Sequence, residues 1–136
     1  MGTRVIGKYL GDKKVEITHE PSQAALITDA PLDNQGQGRN FSPTDLLSAA
    51  LGSCVMTVIA IVAERSGFDV AGMHVEVEKI MAENPRLIAA LPVVMHLPKN
   101  LDAAAREKLE RAALKCPVHA SLNPSIKADI TFVYDV

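Results

Sequence analysis

Apolar residues follow two rhythms along this chain. From Leu46 to Ala63 they run almost unbroken, LLSAALGSCVMTVIAIVA, and the next charged side chain is Glu64. Elsewhere they alternate: Met73, Val75 and Val77 are interleaved with His74, Glu76 and Glu78, the period-two pattern of a half-buried strand. Strand-like segments at Thr3–Leu10 and Lys13–His19 flank Gly11-Asp12, a hairpin turn, and Ala24–Asp29 reads as a third strand. Pro31–Phe41, rich in Gly, Asn and Gln, is an ordered or mobile loop rather than a domain linker. Ser42-Pro43-Thr44-Asp45 starts a helix: Ser caps, Pro takes the first helical position, and an acid sits in the first turn. That helix is expected to run to Ser66 and stop at Gly67. Asn84-Pro85 turns the chain into a strand over Arg86–Leu97, in which Pro92 demands an edge or a bulge. Leu101, Ala105, Leu109, Ala112 and Cys116 share one face of a second helix, with Arg106, Glu107, Glu110 and Arg111 outside; Ile126–Tyr134 closes as a strand. The order βββ-α-ββ-α-β predicts an α+β fold in a single domain, 1–136.

The run 46–63 reaches the length at which a membrane span must be considered. Ser48, Gly52, Ser53 and Thr57 interrupt it, and the downstream half is amphipathic, so a buried core helix is the better reading. At 100° per residue Leu47, Ala50, Leu51, Cys54, Val58, Ile61 and Val62 share a bulky face. Ala49, Gly52, Ser53, Met56, Ala60 and Ala63 share a small one, suited to close approach by a partner helix. Composition agrees. Of 136 residues 48% are hydrophobic but only 4% aromatic, with no Trp, so the core must be aliphatic. Mean hydropathy of +0.12 points to apolar surface beyond what one small interior takes up, hence a subunit interface. A net charge of −2 and a pI of about 6.1 give no electrostatic case for nucleic acid or an anionic membrane. No charged segment followed by a short apolar stretch and a small-residue cleavage site opens the chain, so a cytoplasmic protein is expected. There, two cysteines favour free or catalytic thiols.

Those cysteines carry the candidate chemistry. Cys54 lies within the apolar run; Cys116 opens Cys116-Pro117-Val118-His119, 62 residues later. A thiolate can attack a peroxide and become a sulfenic acid, which a second thiol condenses to a disulfide. Pro117 suits the start of a helix, whose amide N–H groups would favour charge on Cys116. Cys54, among aliphatics, needs a cation from elsewhere. Composition and spacing leave open whether the two thiols are a redox pair or two buried small side chains. Rival chemistries are thinner. Cys116-x-x-His119 has metal-ligand spacing, with His19, His74, His96 and Cys54 as completions, but it is one pair where a structural zinc site wants two; no metal or cofactor is expected. His119 is expected on a helix face near the thiol, His74 and His96 on strands, and Glu76 and Glu78 on a solvated face. Gly36 and Gly38 lack the Lys and Ser of a phosphate loop.

Ser42-Pro43-Thr44-Asp45-Leu46-Leu47 with Ala49-Ala50-Leu51-Gly52-Ser53-Cys54 resembles the first signature of the osmotically induced protein C and organic hydroperoxide resistance (OsmC/Ohr) family. Cys116-Pro117-Val118-His119 resembles the second, and element order and length extend the likeness over nearly the whole chain. The resemblance implies two central helices wrapped by antiparallel sheets in an intertwined homodimer, with active sites at the subunit interface. It implies a cysteine peroxidase for organic hydroperoxides, recycled by a dithiol such as a lipoyl group, with Cys54 peroxidatic and Cys116 resolving. In that family a Glu ten residues before the first Cys holds an Arg that stabilises the thiolate. That position is Thr44 here, and Asp45 falls on the opposite side of the helix, where it serves the Ser42 cap. Arg39, with Arg4 as the other option, is the candidate cation. The alternative function is a non-catalytic protein of the same fold, holding a small apolar or acyl ligand.

Overall fold

The computed structural model describes residues 2–136. It divides into two compact units, Met1–Leu46 and Leu47–Val136.

The first unit is an antiparallel sheet in the order β1-β2-β3, formed by β1 (Val5–Gly11), β2 (Lys14–His19) and β3 (Ala25–Asp29). Gly11, Asp12 and Lys13 all adopt positive φ in the β1–β2 turn, at 89°, 54° and 61°. The stretch after β3 is ordered. It holds a short 3-10 helix, Leu32–Asn34, and closes on itself through the amides of Gly36 and Gly38, which donate to the carbonyls of Pro31 and Ala30 at 2.9 and 3.2 Å. A Cβ on Gly36 would lie 1.7 Å from the Ala30 carbonyl oxygen, so only glycine fits there. Helix α1 (Pro43–Ser66) begins with a reciprocal cap. The Asp45 amide donates to Ser42 Oγ at 3.0 Å, and the Ser42 amide donates to Asp45 Oδ2 at 2.9 Å. Gly67, at φ 74°, follows its last residue.

The second unit contains the sheet β4-β7-β8 and a separate hairpin, β5-β6. Their ranges are β4 (His74–Val77), β5 (Ile80–Ala82), β6 (Leu87–Ala90), β7 (Val93–Leu97) and β8 (Ile130–Tyr134). The single strand expected over Arg86–Leu97 is thus two, broken at Leu91-Pro92, because Pro92 has no amide to keep a ladder running. β5 was hidden in sequence by its three-residue length. β8 begins later than expected and pairs with β7 in parallel, so the sheets are not all antiparallel. The cause is the connection: β7 reaches β8 through α2 (Ala103–Ala113) and α3 (Pro117–Ser121), and a helical crossover returns the chain in the same direction.

The core of this unit joins three elements. Leu51, Val55, Ile59 and Ala63 of α1, Val93, Met95 and Leu97 of β7, and Leu109 and Ala113 of α2 are buried together. Neither face assigned to α1 from sequence is the buried one. The covered stripe takes Leu51 from the bulky face, Gly52 and Ala63 from the small one, and Val55 and Ile59 from neither. The packing surface explains the rotation. A Cβ on Gly52 would stand 2.9 Å from Val77 Cγ2 and 3.2 Å from Val75 Cγ1, so β4 approaches the helix backbone where a side chain is missing.

Candidate functional site: a pair of thiols

Cys54 lies on α1 beside the buried stripe, half-buried and packed against the core. Cys116 does not extend the apolar face of α2, as the sequence pattern had suggested. The helix ends at Ala113, and Cys116 instead caps α3, with φ −58° and ψ 120° and Pro117 after it. Proline keeps the residue before it out of the helical region and itself starts the next helix. The Cys116 side chain is fully buried, and its Sγ accepts the His119 amide at 3.4 Å.

The two sulfurs meet. Burial raises the Cys116 thiol above its ordinary pKa; a hydrogen bond with Cys54 raises it further, the His119 amide pulls the other way, and negative charge on Cys54 adds a smaller upward push. This is the sign expected when Cys116 keeps its proton and donates it toward Cys54. Both cysteines are free, so the pair is a dithiol. Two thiols in contact can pass two electrons to an oxidant and close as a disulfide.

Arg39 belongs to the first unit, and there its guanidinium is held by two carboxylates. Nε donates to Asp29 Oδ2 at 2.9 Å and Nη2 to Asp12 Oδ2 at 3.1 Å, while its backbone amide also donates to Asp29 at 3.1 Å. The buried Asp29 carboxyl is held below its usual pKa, chiefly by the Arg39 side-chain bond. Sequence reading missed Asp29 as a site residue; its one signal was an acid closing the strand-like segment Ala24–Asp29, two residues after the apolar run Ala24–Ile27. Arg4 pairs loosely with Glu20 at 3.6 Å. Thr44, at the position of the family's Glu, has its hydroxyl 3.1 Å from that of Ser42.

The metal spacing Cys116-x-x-His119 has another use here. The His119 ring donates from Nε2 to the Ala128 carbonyl at 2.8 Å, and no group of three or more potential ligands is assembled among the described residues. Glu76 is not merely solvated. It bonds His96 Nε2 at 2.8 Å, while Asp135 takes Nδ1 at 2.9 Å and His74 stacks on the ring at 4.4 Å. Tyr134 donates to Glu110 at 3.1 Å beneath Arg106, and burial followed by that carboxylate pushes its phenol up to about 12.

A family model described as OsmC-like protein matches residues 36–131, which include both cysteines. The chain belongs to the OsmC-like family. Among solved structures, this OsmC-like chain is similar to a candidate osmotic stress induced and detoxification response protein from Psychrobacter arcticus 273-4. The two are 38% identical over 98% of this chain and 97% of that one, with a TM-score of 0.91. An organic hydroperoxide resistance protein OsmC from Legionella pneumophila shares the fold at 17% identity, 97% and 96% coverage and a TM-score of 0.74. So does an organic hydroperoxide resistance protein from Elizabethkingia anophelis, at 11%, 99% and 97%, and 0.78. None of the curated proteins compared matches it. The OsmC-like fold seen here is mixed α+β, and the family includes proteins named for hydroperoxide resistance.

Proposed function

We propose that this protein is a thiol peroxidase that reduces organic hydroperoxides, with Cys54 as the attacking thiol and Cys116 as the resolving one. The observation that carries the reading is the meeting of two free thiols 62 residues apart, one half-buried and one sealed. The half-exposed sulfur is the one a substrate can reach, and the buried one, its pKa raised, keeps its proton while Cys54 makes the first attack. In the first step the Cys54 thiolate attacks the outer peroxide oxygen. The O–O bond breaks, Cys54 becomes a sulfenic acid, and the alkoxide leaves as alcohol after taking a proton. In the second, the Cys116 sulfur attacks that sulfenic sulfur, water leaves, and a Cys54–Cys116 disulfide forms. A dithiol reductant, for which a lipoyl group has the right chemistry, restores both thiols by exchange.

Three further parts belong to the proposal: a homodimer as the working form and a cation favouring the Cys54 thiolate, both implied by the family resemblance, with Arg39 taken as that cation for its nearness in sequence, and the cytoplasm as the compartment, expected from the sequence. Thr44 in place of the family's Glu favours a second reading, the same fold binding a small apolar or acyl ligand without turnover.

One titration separates the two. Reduced protein is mixed with a bulky organic hydroperoxide or with hydrogen peroxide, while free thiols and intact mass are followed. The peroxidase is expected to lose both thiols per equivalent of organic hydroperoxide and to gain a Cys54–Cys116 link. Cys54→Ser is expected to be inert, Cys116→Ser to accumulate sulfenic acid at Cys54, and Arg39→Met to react about tenfold or more slowly. Unreactive thiols across neutral pH would select the ligand-binding reading, and loss of the first step in Cys116→Ser would reverse the roles.

A further inference from the structure

The chain after α3 rejoins the sheet as its outermost strand, in the order β4-β7-β8. Successive carbonyls of an extended segment point to opposite edges. Those of Lys127 and Asp129 face inward, accepting the amides of Leu91 and Val93 at 2.9 Å each. The carbonyl of Ala128 therefore points outward, beyond which the sheet has no further strand among the described residues. Ala128 is only 9% exposed, so its carbonyl needs a partner other than bulk water. The His119 ring is that partner, through Nε2 at 2.8 Å. A carbonyl only accepts, so Nε2 carries the proton.

The same residue reaches the thiol site from its backbone, where its amide donates to Cys116 Sγ at 3.4 Å. Between the two contacts lies α3, five residues long and too short to hold its own orientation. An open recess of about 290 Å³, lined among others by His119, Asn123, Lys127 and Asp129, lies beside the ring, so close packing does not fix this face. Val118 and Leu122 pack α3 against the core on its other side, and on the open side the ring-to-carbonyl bond is the anchor.

We propose that His119 is the positioning residue of the thiol pair. By tying α3 to the Ala128 carbonyl it keeps its own amide on Cys116 Sγ, and so sets how readily that sulfur ionises and departs. The departure matters during recycling. A reductant thiolate attacks the Cys54 sulfur of the disulfide, the S–S bond breaks, and its electron pair goes to Cys116 as a thiolate. The His119 amide stabilises this thiolate until it takes a proton. The reductant's second thiol then displaces Cys54, leaving the reductant oxidised to its own disulfide. The recycling role rests on the peroxidase reading; the control of Cys116 ionisation does not.

The test is carried out in reduced Cys54→Ser protein, where Cys116 is the sole thiol. Its ionisation is followed by ultraviolet thiolate absorbance against pH, with melting temperature measured in parallel. His119→Ala and His119→Phe are expected to raise the midpoint by about one pH unit, the scale of a loosened hydrogen bond to a charged sulfur. His119→Gln, whose longer amide can still donate to Ala128, is expected to restore it. Should the first two variants fail to fold, His119→Asn, too short to reach, replaces them in the comparison with Gln. A midpoint unmoved in the donor-less variants overturns the proposal, however far their melting falls; so does a shift that Gln does not reverse. A reversible shift in a protein without peroxide turnover upholds this role while removing the peroxidase reading.

Discussion

His96 has carboxylates on both ring nitrogens, Glu76 from β4 and Asp135 from just beyond β8, with His74 stacked on its face at an interplanar angle of 6°. Both nitrogens can donate at once only in the imidazolium, so this environment favours the charged ring. Its pKa is raised, first by Glu76 and then by Asp135, against a smaller opposing effect of burial. Because the folded value lies above the unfolded one, the contribution to stability is complete below the ordinary histidine range of about 6.5 and fades as pH rises through the folded value. Denaturant midpoints measured from about pH 5 to about pH 9 are expected to fall over that upper window in the parent. In His96→Asn the fall should be lost; the same slope in both proteins would show that the clamp contributes nothing. From sequence, His74 and His96 were legible as strand residues because alternation is local. The clamp was not, since Glu76 and Asp135 stand 20 and 39 residues from His96 and only pairing of β4, β7 and β8 assembles them. The same holds for Arg39, whose partners Asp29 and Asp12 are 10 and 27 residues away.

The ends of α1 were readable for the opposite reason. Ser42, Asp45 and Gly67 act through bonds and φ angles within a few residues, so spacing alone places them. Which side of the helix is covered was not readable, because a helix apolar all round lets its neighbours choose. The choice is made at Gly52, where the valines of β4 press against the helix backbone. Gly52→Ala is therefore a contest between two effects. Alanine favours the helix over glycine by about 1 kcal/mol. Against it, the new methyl would lie 2.9 Å from a short, β-branched side chain that cannot swing aside, and overpacking of this kind costs about 1–3 kcal/mol. The contact is expected to win, giving a net loss of about 1 kcal/mol in chemical denaturation. A neutral or stabilising Gly52→Ala would mean that β4 moves away easily. Parallel pairing of β8 belongs to the same class of facts: the period-two pattern announces a strand but carries no direction, and the α2–α3 crossover decides it.

At the scale of the whole molecule, apolar surface is left over in each unit. On β1, Val5 and Tyr9 face one way and Ile6 and Leu10 the other, yet they are 58%, 66%, 47% and 43% exposed, so a single sheet offers both faces to water. On α1, Ala50, Ser53, Thr57 and Ile61 form an exposed stripe opposite Leu51, Val55 and Ile59. This helix is long and apolar enough to cross a membrane, yet most of its length is not buried. Apolar surface of this extent calls for a cover. The small side chains of the α1 stripe suit a second copy of the same helix, as the proposed homodimer requires. Sedimentation equilibrium is expected to give a dimer without detergent, with a melting temperature that rises with concentration. Ile61→Arg should shift the equilibrium toward monomer while changing the fold of the single chain little, because Ile61 is already 44% exposed there. A parent protein that remains monomeric at every concentration removes the dimer. One that sediments only with lipid assigns this face of α1 to a bilayer instead.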